Sequence, residues 1–251
     1  MNSLYSQFEV ISLEELNNKA RLMTRRDSKY ILSTAQLNEF LCEIKNQFLI
    51  LEIQGVRQFE YHTLYMDTKN LKCFKDHNQG RRRRFKLRFR HYVDSSLYYL
   101  ELKIKGRRNL THKYRLQINS ECYNQASMSS ELKNFVKETI EKNYQYQLDL
   151  FYEKSLMVKY KRITLVSKIG EEHITIDNKV CFSNDVKSVE AKSDLWVIEI
   201  KSRTGNSCFD KSLYKNKTRP VSGCSKYCVG INLLNSQVSR FTPVVKKFVS
   251  R

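Results

Sequence analysis

Residues 81–92 read "RRRRFKLRFRHY", and seven of the first ten are cations: Arg81, Arg82, Arg83, Arg84, Lys86, Arg88 and Arg90. From Lys86 onward the cations take every second position, with Phe85, Leu87 and Phe89 between them. In a strand, side chains at i, i+2 and i+4 share a face. Arg84, Lys86, Arg88 and Arg90 therefore belong to one face and the apolar residues to the other. Three more stretches repeat the pattern. Glu101, Lys103 and Lys105 oppose Leu100, Leu102 and Ile104; Lys113 and Arg115 oppose Tyr114, Leu116 and Ile118; Glu199 and Lys201 oppose Ile198 and Ile200.

One such strand would be an ordinary antiparallel strand with a wet face. Four are harder to explain that way, because a wet face mixes Ser, Thr, Asn, Glu and Lys. Two cations ~6 Å apart repel by roughly 3 kcal/mol at an effective dielectric near 20. Repeating that across a sheet calls for a multivalent anion. Nucleic acid is the rival ligand, but sheets that bind single strands stack bases on aromatics among the cations. Here the alternation sends Phe85 and Phe89 away from Lys86, Arg88 and Arg90. Isolated Glu residues in a basic face suit metal-bound phosphate better. Arg81, Arg82 and Arg83 are less regular and read as turn or rim charges.

The wider sequence agrees. The chain has 45 Lys+Arg against 26 Asp+Glu, a net charge of +19, which points to a polyanionic partner. Residues 81–117 hold thirteen basic and two acidic side chains, so this one segment carries +11 of the surplus. The 251 residues, with 41% apolar content and only two prolines, fit a single folded domain over 1–251. No apolar run is long enough to span a bilayer, and the N-terminus lacks the pattern of a signal peptide. Seven scattered cysteines favour reduced thiols and a cytoplasmic setting. Cys224 and Cys228 have no second pair to complete a zinc set.

The elements that must position these residues are mostly strands. Period-two alternation predicts strands near 27–32, 57–66, 83–93, 97–105, 112–119, 156–168, 172–177 and 195–203. Helical periodicity marks 34–49, opened by Ser33 or Thr34 as N-cap, then 129–143 and, more weakly, 208–216. About eight strands joined by short turns predict an α+β fold built on a closed or nearly closed antiparallel β-barrel.

In this order the motifs "RRDSKYIL", "TLYMDT", "KLRFRHY", "YLELKIK", "HKYRL", "VKYKR", "HITID", "VIEIKS" and "SKYCVG" resemble the VTC (vacuolar transporter chaperone) domain. That family is the polyphosphate polymerase branch of the triphosphate tunnel metalloenzymes, relatives of the CYTH phosphatases and cyclases. The resemblance spans about residues 22–234. It implies an eight-stranded antiparallel tunnel with helices packed outside and phosphate-binding side chains inside. By motif, Lys29, Arg162 and Lys226 match the catalytic cations. Arg25, Lys86, Arg88, Arg90, Lys103, Lys113, Arg115, Lys201 and Ser225 match phosphate-binding positions. Glu199 matches the metal-binding glutamate, with Glu101 a second carboxylate.

The implied reaction moves the γ-phosphate of ATP onto a polyphosphate chain with Mn²⁺ or Mg²⁺, and implies no specific nucleic acid. A triphosphatase or polyphosphatase, or a non-catalytic polyphosphate binder, would use the same lumen. Two departures stand out. Where the CYTH branch has E-x-E-x-K, this chain has Arg25 and Asp27 before Lys29, which favours the VTC branch. His173 stands where the family commonly has Arg. Asp67 and Asp177 read as strand ends or as residues orienting the arginines, Tyr92 and Tyr227 as packing residues, and Lys105, Arg107 and Arg108 as mouth residues.

Overall fold

The computed structural model describes residues 4–20, 26–106, 110–145, 151–169, 172–202, 208–236 and 239–249. In chain order the strands are β1 (Glu9–Ile11), β2 (Arg26–Leu32), β3 (Phe48–Leu51), β4 (Phe59–Asp67), β5 (Arg84–Tyr92) and β6 (Leu97–Lys105). They continue with β7 (Thr111–Ile118), β8 (Glu153–Ser167), β9 (Glu172–Ser183), β10 (Ser188–Glu190) and β11 (Trp196–Ser202). The helices are α1 (Leu13–Ala20), α2 (Thr34–Ile44), α3 (Lys72–Asn78) and α4 (Ser120–Gln125), then α5 (Ser130–Tyr144), α6 (Cys208–Lys215), α7 (Lys226–Asn235) and α8 (Thr242–Phe248).

The main sheet runs β2-β11-β9-β8-β4-β5-β6-β7, antiparallel at each step. It curls until its far ends approach. Lys103 on β6 lies within electrostatic reach of Glu199 on β11 and Lys29 on β2. The expected eight-stranded path is present, but the barrel is not closed: β2 and β7 are the two ends of the path and form a seam. The outer edge of β2 is already used, since the Val221 N–H donates to the Lys29 carbonyl at 2.7 Å. β1, β3 and β10 extend the sheet beyond the expected strands. The expected helix over 34–49 ends at Ile44, and the apolar run "FLIL" becomes β3.

The apolar core lies outside the curl, where the alternation placed it. Phe85, Leu87 and Phe89 on β5 and Leu100, Leu102 and Ile104 on β6 are buried in one cluster with Leu132, Val136, Ile140 and Tyr144 of α5. The Tyr144 hydroxyl sits 2.7 and 3.2 Å from the carbonyls of Arg84 and Lys105, fixing the helix to both strands. On the other side, Leu37, Phe40, Leu41 and Ile44 of α2 join the outward residues Ile163, Leu165, Ile174, Ile176, Ile198 and Ile200. A capping box between Ser33 and Gln36 starts α2.

One helix departs from the expected external packing. Strand register puts Leu156 beside Tyr65, and Tyr65 beside Arg88, so Leu156 faces the concave side. Gly230 of α7 approaches that side so closely that a Cβ there would lie 2.6 Å from both Leu156 and Phe182. α7 therefore sits on the concave face at one end of it. Buried Asp67 seats it, accepting the backbone N–H groups of Cys73 and Phe74 and the hydroxyl of Tyr227. That carboxylate ties the start of α3 to α7.

Candidate functional site

Directly paired residues of neighbouring strands share a face. On β5, β6 and β7 the register aligns Lys86 with Lys103 and Lys113, and Arg88 with Glu101 and Arg115. Glu101 is 1% exposed, and Nε and Nη2 of Arg88 both donate to its Oε2, at 2.8 and 2.6 Å. Lys113 Nζ lies 2.5 Å from Oε1, and Arg90 Nη1 is 3.9 Å from Oε2. Burial alone would raise the Glu101 pKa, but Arg88, Arg90 and Lys113 hold it below the usual carboxylate range. This wall is an anion clamped by cations.

On β2, β11 and β9, Lys29 pairs with Glu199, and Glu199 with Thr175. Lys201 aligns with Asp27 on one side and His173 on the other. Glu199 keeps 18% side-chain exposure, with Lys201 at 2.8 Å and Lys29 at 3.3 Å. Lys29 also donates to the Cys224 carbonyl at 3.0 Å, just before α7. Burial pushes Glu199 up, but Lys29, Lys201 and Lys103 more than offset it and keep the carboxyl ionised.

The third wall is β4 and β8. Arg162 makes a two-pronged pair with buried Asp177, Nε to Oδ1 at 2.6 Å and Nη2 to Oδ2 at 2.8 Å. Lys226, the first residue of α7, bonds the same carboxylate. Asp177 thus orients two of the expected catalytic cations, as its position suggested. Arg90 donates to the Tyr160 hydroxyl at 2.6 Å, while Arg162 and Lys226 lie 5.2 and 4.8 Å from the Tyr160 ring centre. Burial would raise the phenol's pKa; Arg90 and Arg162 outweigh it and lower it. Ser225 caps α7, its hydroxyl accepting the Cys228 N–H at 3.5 Å.

Lysines concentrate where the walls meet. Burial, with Lys103, Lys29 and Arg88 nearby, brings Lys86 down to about 7. Lys103 falls to about 8 through burial and Lys29, against the pull of Glu199. Three buried polar atoms of this face have no hydrogen-bond partner among the described residues: Thr63 Oγ1, Arg90 Nε and Thr175 Oγ1. Unpaired polar atoms beside crowded cations are what a phosphate oxygen would satisfy.

Every expected site residue that is described lies on the concave face or at the α7 start that meets it. Arg25, Arg107 and Arg108 fall outside the described residues. Arg115 stacks over Tyr99 at 5.0 Å rather than reaching Glu101. Sequence reasoning missed the tyrosines. Tyr61, Tyr65, Tyr92, Tyr99 and Tyr160 share the cation face, and Arg90 lies 5.5 Å from the Tyr61 ring and 5.7 Å from that of Tyr92. Alternation puts Tyr92 beside Arg90, Tyr99 beside Glu101 and Tyr160 beside Arg162, so aromatics do stand among the cations, contrary to the expectation drawn from Phe85 and Phe89. Only strand register could have placed Tyr61 and Tyr65. Tyr227, buried and bonded to Asp67, is a packing residue as read.

Among the described residues, no cluster of three or more His, Cys, Asp or Glu could hold a metal ion unaided. Glu199 offers one partly exposed carboxylate with lysine partners only. A hard divalent cation fits there if phosphate oxygens and water complete its shell, the usual arrangement for Mg²⁺ at phosphates.

Residues 24–235 match the VTC domain family. Among solved structures, a Hippeastrum protein described as an adenylyl cyclase with a dominant triphosphatase activity superposes with a TM-score of 0.51. It is 12% identical, and the match covers 86% of this chain and 97% of that one. A Pyrococcus horikoshii protein matches with a TM-score of 0.47 and 12% identity over 84% of this chain and 98% of its own. No curated protein matches the sequence. No described helix is long and apolar enough to cross a membrane.

Proposed function

The chain belongs to the VTC domain family, and on that premise we propose that it is a metal-dependent polyphosphate polymerase. The observation that carries the proposal is the concave face itself: lysines and arginines from six strands and α7 converge there, with two open carboxylates, partly exposed Glu199 and exposed Asp27, among them. A triphosphate and a growing chain are the ligands whose charge density matches it.

Phosphoryl transfer needs positioning and charge neutralisation more than covalent help from the protein. A terminal oxygen of the polyphosphate attacks the γ-phosphorus of ATP and forms a new P–O bond, the bond from that phosphorus to the β–γ bridging oxygen breaks, and ADP leaves keeping the bridging oxygen. Lys86, Arg88, Arg90, Lys103, Lys113, Arg115 and Lys201 hold the phosphates in line. Lys29, Arg162 and Lys226 neutralise charge at the transferred group, each pre-oriented by Glu199 or Asp177. Glu199 would hold Mn²⁺ or Mg²⁺, which when bound supplies Lewis-acid neutralisation at phosphate oxygens. Glu101 is the other expected metal carboxylate, but three cations already surround it, so its proposed part is to fix Arg88 and Arg90.

Water could be the acceptor in the same site, so products decide. Incubation with ATP and Mn²⁺, resolved on a gel, should yield long polyphosphate and ADP. Orthophosphate with no polymer would replace the polymerase by a triphosphatase. Binding without turnover would leave a polyphosphate-binding module.

A further inference from the structure

Arg84 begins β5 and joins the concave face, but the three arginines before it do not. With Lys72 and Asp76 of α3, Arg81, Arg82 and Arg83 line a separate cavity of about 610 Å³. Its wall is organised. Asp76 is 5% exposed and pairs with Lys72 at 2.7 Å and Arg81 at 3.4 Å, so the one acid lining the cavity orients two of its cations. From below, Arg84 Nη1 donates to the carbonyls of Gly80 and Arg81, bracing the turn. Gly80 has φ +68, and a Cβ on it would meet Arg240 Nη1 at 3.1 Å. The glycine thus gives the turn its left-handed backbone and lets a fifth cation, 160 residues away, close against it.

Four cations and one carboxylate leave the lining with a charge of +3, which suits a polyanion and no neutral ligand. Among the described residues no aromatic side chain lines the cavity, which leaves it without the stacking platform that single-stranded nucleic acid uses. The cavity also adjoins the concave face. Only three residues lie between Arg82 and Lys86, four steps that span at most about 14 Å of extended chain. Between them, buried His77 on α3 is held neutral, near 2, by burial and by Lys86. α3 thus has the cavity on one side and the lysine end of the concave face on the other.

We propose that this cleft is a second polyanion site, which binds the part of a polyphosphate chain that extends past the concave face. The proposal rests on the polyphosphate reading above, and chain length separates the two. Tripolyphosphate is too short to occupy both places, whereas long-chain polyphosphate can.

The test replaces Arg81, Arg82 and Arg83 together by Ser, and measures binding of tripolyphosphate and of long-chain polyphosphate at fixed salt. All three are exposed, and an unchanged melting temperature without ligand checks the fold. Long-chain affinity should fall about tenfold and lose part of its salt dependence, with tripolyphosphate affinity unchanged. Equal losses for both ligands, or no loss for the long chain, would overturn the proposal. So would RNA outcompeting polyphosphate at equal phosphate concentration in the unmodified protein but not in the variant. If tripolyphosphate fails to bind the unmodified protein while long-chain binding still depends on these arginines, the cleft stands and the concave-face reading falls.

Discussion

Glu101 and Glu199 sit in nearly identical motifs, "ELK" and "EIK", on strands of the same curved sheet, and both are ionised. Their surroundings differ. Glu101 is sealed and held largely by guanidinium groups, whose planar donors lock a carboxylate into one geometry. Glu199 is partly open and held by ammonium groups, compact charges on flexible stems that can change partner when a ligand arrives. The same three letters therefore build a brace on one wall and an exchangeable anion on the other. Charge at a position says less about its role than which cations hold it and how much water reaches it.

The largest expected effects break that comparison first. Glu101→Gln leaves Arg88, Arg90 and Lys113 crowded without their anion, and should destabilise the fold by about 3–5 kcal/mol. Phe89→Ala, on the core side of the same wall, should cost a similar 3–5 kcal/mol by opening a cavity. Glu199→Gln should leave the melting temperature within a few degrees but cut turnover of ATP with Mn²⁺ by at least about 100-fold. Thermal melts and product assays on the three variants decide it. A Glu101 variant that melts normally, or a Glu199 variant that turns over normally, would dissolve the distinction.

The two walls were not equally legible. Arg84 to Arg90 alternate without a break, and a period of two assigns faces with no knowledge of neighbours, so the cation face and the Phe85–Leu87–Phe89 core side were both readable. β4 carries Tyr61, Thr63 and Tyr65 against Leu64 and Met66, apolar or aromatic on both faces, so its sequence could not tell which tyrosines join the cations. α7 is buried nearly all round, which removes the amphipathic stripe that would have marked it as a helix. The seam between β2 and β7 depends on the far segment that carries Val221. Asp177 was readable as a residue that orients arginines; the Lys226 it also holds comes from a helix that was not.

A smaller effect sharpens the comparison through ligand binding. Crowded cations repel one another, so tripolyphosphate should stabilise the folded protein. At a hundredfold excess over Kd, linkage gives about 2.7 kcal/mol, a melting shift of roughly 5–10 °C for a chain of this size. Glu199→Gln should keep most of the metal-free shift, because the cations remain. Scanning calorimetry with and without Mn²⁺ separates phosphate binding from metal binding. Absence of any shift in the unmodified protein would remove the polyanion reading of the whole face.

The smallest effect is also the one that distinguishes lysine from arginine directly. Arginines stay charged throughout the accessible pH range, so the clamp around Glu101 should not respond to pH through its guanidinium groups. Lys86, Lys103 and, within the clamp, Lys113 should, being depressed to about 7, about 8 and about 8 by burial among other cations. Without ligand, the folded state binds fewer protons at these lysines than the unfolded chain between about pH 7 and the ordinary lysine pKa near 10.4. Their contribution therefore makes the free protein more stable as pH rises through that window. A bound polyphosphate reverses the local field, favours the ammonium forms and draws protons onto all three side chains. Near pH 8.5, binding should take up about two to three protons beyond what the ligand itself releases or gains, and affinity should fall as pH rises, by up to about tenfold per pH unit for each lysine that titrates. Calorimetric titration in two buffers of different ionisation enthalpy reads the uptake. Lys86→Met should remove about one of these protons, whereas Arg115→Met should weaken binding and leave the uptake unchanged. Equal uptake in the parent and the Lys86 variant would place the titrating groups elsewhere, and would leave the lysine wall no more responsive than the arginine one.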